Sequence, residues 1–135
     1  MKARMAAICG ALVLAVTFAY ADDIRLKNSA EFPAATGKVD FGKDENGNTK
    51  AKVEVKHLAK PESLVPAKTH YVVWVQPTGK EAESVGALRV NDDLNGELEF
   101  VTTHREFDIF VTAEDSPRVT SPSGTEVMRG VRESD

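Results

Sequence analysis

The stretch His70-Tyr71-Val72-Val73-Trp74-Val75-Gln76-Pro77-Thr78-Gly79 decides how this chain is read. Tyr71 to Val75 are all apolar or aromatic in an otherwise polar neighbourhood. At the two-residue period of a strand, Val72 and Trp74 share one face, and Tyr71, Val73 and Val75 share the other. A strand apolar on both faces is a central one. The run is far short of the roughly 20 residues needed to cross a bilayer as a helix, and Pro77-Thr78-Gly79 closes it with turn chemistry. Trp74, the only tryptophan, is expected to face the core. Tyr71, Val73 and Val75, joined by Phe110, would then line an outer apolar stripe, and such patches mark partner sites. The competing reading has Ile24-Arg25-Leu26 or Phe32-Pro33 folding back over that stripe.

Outward from this strand the pattern remains one of short strands and turns. Val39 and Phe41 alternate with Lys38 and Asp40, and Ala51, Val53 and Val55 alternate with Lys50, Lys52, Glu54 and Lys56. Asn46-Gly47 between them is a hairpin signal. Leu58 to Thr69 contains Pro61 and Pro66 and reads as a loop. A second hairpin is expected around Asn91-Asp92-Asp93-Leu94-Asn95-Gly96, with Asn95-Gly96 at the turn and Leu88, Val90, Leu98 and Phe100 buried. In the next strand Phe107, Ile109 and Val111 face inward and Phe110 outward. A long Pro-containing loop then leads to a last strand around Thr125–Val131. These signals predict an all-β fold, an immunoglobulin-like antiparallel β-sandwich of about seven strands. The expected organisation is a signal peptide at 1–21, an N-terminal extension or first edge strand at 22–35, the β-sandwich domain at 36–131, and a tail at 132–135.

The amino-terminal segment belongs to targeting rather than to the fold. Lys2 and Arg4 precede an uncharged run from Met5 to Phe18, and Ala19-Tyr20-Ala21 matches the small-x-small pattern of a signal-peptidase site. The competing reading keeps this segment as an uncleaved anchor. Cleavage after residue 21 of 135 leaves 114 residues, which is one domain. Without Lys2 and Arg4, 15 of the 17 basic residues remain against 21 acids, a net charge of −6. That balance argues against nucleic acid as a partner. The only cysteine, Cys9, lies in the signal segment, so thiol catalysis, thiolate metal sites and disulfide scaffolds are excluded for the exported part. No second apolar run is long enough for a transmembrane segment.

Three stretches, YVVWV from Tyr71, VGALRVNDDLNGELEF from Val85 and FDIFVTAEDSPRVTSPSG from Phe107, resemble the C-terminal extracytoplasmic domain of K-type anti-sigma factors. In that family an aromatic-x-x-Trp strand precedes a hairpin with an acidic, Gly-containing turn, and a strand-and-loop with a Pro-Ser/Thr-Gly segment follows. The similarity spans Tyr71 to Val131, about half of the exported part. Those proteins carry a sigma-binding domain and a membrane helix ahead of this domain. Here a signal sequence occupies that place, so sigma inhibition does not carry over. The resemblance implies a stand-alone sensor-side domain in a bacterial envelope, periplasmic or secreted, and brings no catalytic residues with it.

Candidate chemistry is sparse. His57, His70 and His104 show no His-x-His or His-x-x-x-His spacing. The dense histidine set and the disulfide of copper–zinc superoxide dismutase, another β-sandwich, are missing. His57 and His70 flank one loop and could meet at an end of the sandwich, which gives the alternative reading of a small periplasmic metal-binding or enzymatic protein. Asp44-Glu45-Asn46-Gly47-Asn48 has its glycine one place too early for a calcium loop and no glutamate at the twelfth position. Ser121-Pro122-Ser123-Gly124 is not a nucleophile elbow. Lys50, Lys52 and Lys56 form a row that reads either as a solvated strand face or as a contact for an anionic envelope polymer. The leading expectation is a non-enzymatic exported binding module without cofactor or metal, whose partner is an envelope protein or polymer.

Overall fold

The computed structural model describes residues 20–133, so the expected signal segment lies, up to residue 19, outside the described residues. Eight strands follow in order: β1 (Asp22–Asn28), β2 (Thr36–Lys43), β3 (Thr49–Lys56), β4 (His70–Pro77), β5 (Glu83–Val90), β6 (Gly96–Thr102), β7 (Phe107–Glu114) and β8 (Glu126–Arg132). A single 3-10 turn, Pro61–Ser63, interrupts the β3–β4 connection. The all-β expectation holds. The open two-layer arrangement gives way to a ring, with strand order β1-β2-β3-β6-β5-β4-β7-β8 closing back on β1.

Two strands make the closure by changing partners along their length. Asp22–Leu26 of β1 pair with β2, while Lys27 and Asn28 pair with β8. Glu83–Leu88 of β5 pair with β4, while Arg89 and Val90 pair with β6. Each corner is thus held by two residue pairs. The segment 22–35, read from sequence as an extension or edge strand, supplies one of these corners. A barrel removes the exposed edges that a sandwich must protect.

Both predicted hairpins form, and their turns are built alike. The Asp44 carboxylate accepts the backbone N–H groups of Asn46 and Asn48 at 2.8 and 2.9 Å. The Asn91 side-chain oxygen accepts those of Asp93 and Asn95 at 2.9 and 3.0 Å. In each case the fourth residue of the turn is left-handed: Gly47 at φ 82° and Leu94 at φ 65°. The second turn therefore differs from the expected Asn95-Gly96 centre. Gly96 opens β6 instead, where a Cβ would stand 2.6 Å from the Arg89 carbonyl oxygen. Its smallness lets β5 and β6 meet at the closing corner.

Leucine in the left-handed region costs about 1–2 kcal/mol that glycine and asparagine largely avoid. Leu94 is among the exposed large apolar residues, at 39%, so Leu94→Asn is expected to stabilise the fold by about 1 kcal/mol. A urea titration would register this as a higher midpoint at unchanged slope.

The barrel interior is filled by inward residues of all the strands. Val39, Phe41, Ala51, Val53, Tyr71, Val73, Val75, Ile109 and Val111 have no exposed surface. Phe41 and Phe107 meet edge to face at 6.1 Å. β4 lies between β5 and β7, paired along its whole length with β7, as a strand apolar on both faces requires.

Candidate functional site

The structure inverts the expected faces of β4. Tyr71, Val73 and Val75 point into the barrel and belong to the main core, fully buried. The anticipated surface stripe is therefore not on the surface. Phe110 does not join them; it lies on the opposite face with Val72 and Trp74. The Tyr71 hydroxyl donates to the Ala59 carbonyl at 2.6 Å. Burial, with the Glu62 charge as a lesser cause, pushes this phenol up to about 12.

Trp74 is sealed as expected, but outside the barrel wall rather than between two layers of strands. Its ring stacks on Phe110 with centroids 6.4 Å apart, and the Arg129 guanidinium sits 4.2 Å over the Phe110 ring. The long loop between β7 and β8 contributes Val119, and the β4–β5 connection contributes Ala82. This small second core explains why the strand reads as apolar on both faces.

Beside it lies a polar arrangement that sequence reading missed. Glu114, at the end of β7, is 1% exposed. Its carboxylate accepts hydrogen bonds from the Thr112 hydroxyl (2.6 Å), the Ser123 hydroxyl (2.7 Å), and the backbone N–H groups of Ser123 (3.0 Å) and Gly124 (3.1 Å). Thr112 in turn accepts the Trp74 indole N–H at 2.9 Å. Burial pushes the Glu114 carboxyl up, but the four donors outweigh it and hold the group below its ordinary value. A faint signal was available: Phe110, Thr112 and Glu114 share one face at period two, with polar residues following an aromatic one.

The outer face of β2, β3 and β6 is a mosaic of opposite charges. Lys52 lies 3.5 Å from Glu54 and 3.3 Å from Glu97, and Lys38 lies 3.8 Å from Asp40 and 3.9 Å from Glu54. Lys50 reaches over the Tyr20 ring at 5.5 Å, and Lys56 is exposed. The lysine row is thus interleaved with acids from neighbouring strands, which a one-dimensional reading could not show.

The histidines have different surroundings. His57 takes a left-handed conformation, φ 58°, and lines one groove, while His70 lines another with Lys60 and Arg89. His104 Nε2 lies 3.2 Å from Glu83. Among the described residues no three of His, Cys, Asp and Glu gather as metal ligands.

The groove beside His57 opens at the barrel end where β3 and β7 finish and β4 and β8 begin. It has a volume of about 630 Å³ and walls made by Phe32, Ala35, Ala59, Leu64, Val65 and Pro66, with Glu31 and Lys68 among its polar residues. Val65 stands 97% exposed at its lip. The volume is that of a small-ligand pocket, and the Phe32-Pro33 stretch, expected to cover β4, forms part of its wall instead.

No protein-family model matches the chain, and no curated protein matches it. The groove must be read from its own chemistry. Among the described residues no helix is long and apolar enough to cross a membrane.

Proposed function

We propose that this protein is a non-enzymatic binding module exported to the bacterial cell envelope, and that it takes an apolar group of its partner into the groove between Phe32, Leu64, Val65 and Pro66. The observation that carries this reading is Val65: a β-branched apolar side chain left almost wholly in water at the lip of an apolar cavity. Side chains in that position contribute hydrophobic energy only when something covers them. The chain's acidic balance and the charge-paired outer sheet face favour an apolar over a polyanionic ligand. Export is supported by the Ala19-Tyr20-Ala21 pattern, after which the first strand begins directly at Asp22.

The uncharged dye N-phenyl-1-naphthylamine provides the test, since its fluorescence rises on entering an apolar site. Saturable binding at one site is expected. Val65→Asp, at a position where substitution leaves stability within about 0.5 kcal/mol, is expected to weaken it about tenfold, the loss of roughly one buried valine. Dye fluorescence that never saturates, or that is indifferent to Val65→Asp, would overturn the assignment.

A further inference from the structure

The loop between Glu114 and Glu126 is held near both ends, by the Lys68–Asp115 pair where it leaves β7 and by Ser123, Gly124 and Thr125 where it returns. It covers Val72, Trp74 and Phe110 through the half-buried Val119, and its interior bond from Arg118 N–H to Ser116 is local. At its return to the sheet, Ser123 and Gly124 give three hydrogen bonds to the Glu114 carboxylate. There the backbone presses so closely on β7 that a Cβ on Gly124 would stand 1.7 Å from the Ala113 carbonyl oxygen. The same carboxylate, through Thr112, holds the indole of the residue the loop covers.

All four groups donating to Glu114 are neutral, and all four need an acceptor. A protonated carboxyl would turn one acceptor position into a donor facing them. The ionisable side chains on the surrounding segments have other engagements. Lys68 pairs with Asp115 at 3.5 Å, His70 Nδ1 lies 2.9 Å from the Thr69 hydroxyl, and Glu126 is held by Arg129. Arg118 lies on the loop itself. The attachment of Ser123 and Gly124 to β7 therefore depends on one negative charge, beside the backbone bond from the Ala113 N–H to the Thr125 carbonyl.

We propose that the β7–β8 loop is a releasable cover: loss of the Glu114 charge in acid detaches it and exposes the apolar Val72–Trp74–Phe110 face while the barrel stays closed. The carboxyl is held below its ordinary value of 4.5. The stabilisation it gives is therefore complete above that pH and is lost as pH falls through the native value. Opening belongs to acid conditions below the ordinary carboxylate range.

Trp74 is the sole tryptophan, so its emission reports this face alone. Acrylamide quenching and emission maximum would be followed from pH 7 to pH 3 on the purified protein, beside the far-ultraviolet circular dichroism of the barrel. Red-shifted emission and several-fold stronger quenching are expected before the sheet signal falls. Glu114→Gln should be wet at pH 7 and lose the pH response. Simultaneous loss of both signals in the unaltered protein, or a dry Trp74 in Glu114→Gln, would overturn the proposal. If Glu114→Gln does not fold, Ser123→Ala decides. It keeps the charge but removes one donor, so the wetting midpoint must move to higher pH; an unmoved midpoint also overturns the proposal.

Discussion

Replacing Tyr71 and Val73 together by serine is expected to leave the chain without a cooperative fold. Both side chains are wholly enclosed in the barrel. Truncating a buried aromatic costs about 3–5 kcal/mol, and here the Ala59 carbonyl also loses the hydroxyl bound at 2.6 Å. Val73→Ser removes one methyl and turns the other into a buried hydroxyl, for about 2–3 kcal/mol more. These two terms rival the 5–15 kcal/mol that a whole domain has in reserve. Had the pair formed an outer stripe, each change would be worth about 0.5 kcal/mol or less. Circular dichroism with urea titration separates the cases. A sigmoidal transition near the unaltered midpoint would place Tyr71 and Val73 outside the core.

Phe41→Ala is expected to be the most damaging single truncation in the β2–β3 half, at about 3–5 kcal/mol. The ring has no exposed surface, meets Phe107 at an interplanar angle of 69°, and carries the Arg132 guanidinium 4.5 Å over its face. Removing it empties a space bordered by β2, β7 and β8 at once, so no single strand can move in to fill it. Val101→Ala, on a side chain 52% exposed, is the control and should change little. Equal urea midpoints for the two variants would contradict the barrel packing.

Much of the fold was legible locally. The alternation from Lys38 to Lys56 placed a hairpin where β2 and β3 lie, because a strand with one wet face writes its orientation into every second residue. The inward set Phe107, Ile109 and Val111 was recoverable for the same reason. The second turn was misjudged by two residues. Asn95-Gly96 is a turn pair by composition, yet the Asn91 side chain fixes the turn earlier and forces Leu94 into the left-handed region. Nothing about leucine announces that.

The candidate site was less legible. Its wall gathers Phe32, Ala59, Leu64 and Ala113, residues from three separate stretches of the chain that no spacing rule connects. Little in the sequence distinguishes Glu114 from the other acids. Its role depends on Ser123 and Gly124 returning to it across a loop, and loop paths leave little periodic trace in composition.

By itself the sequence determined that this chain is all-β, where its hairpins fall, and that Tyr71 to Val75 is a buried central strand. Tertiary structure alone decided that the strands close into a barrel through β1 and β5, and that Trp74 lies outside the wall while Tyr71, Val73 and Val75 lie inside. The reason is physical. Alternation reveals a strand's buried face only when the other face is polar, and β4 is apolar on both, so its inside was chosen by what packs on each side: a ring of seven other strands on one, and the β7–β8 loop on the other.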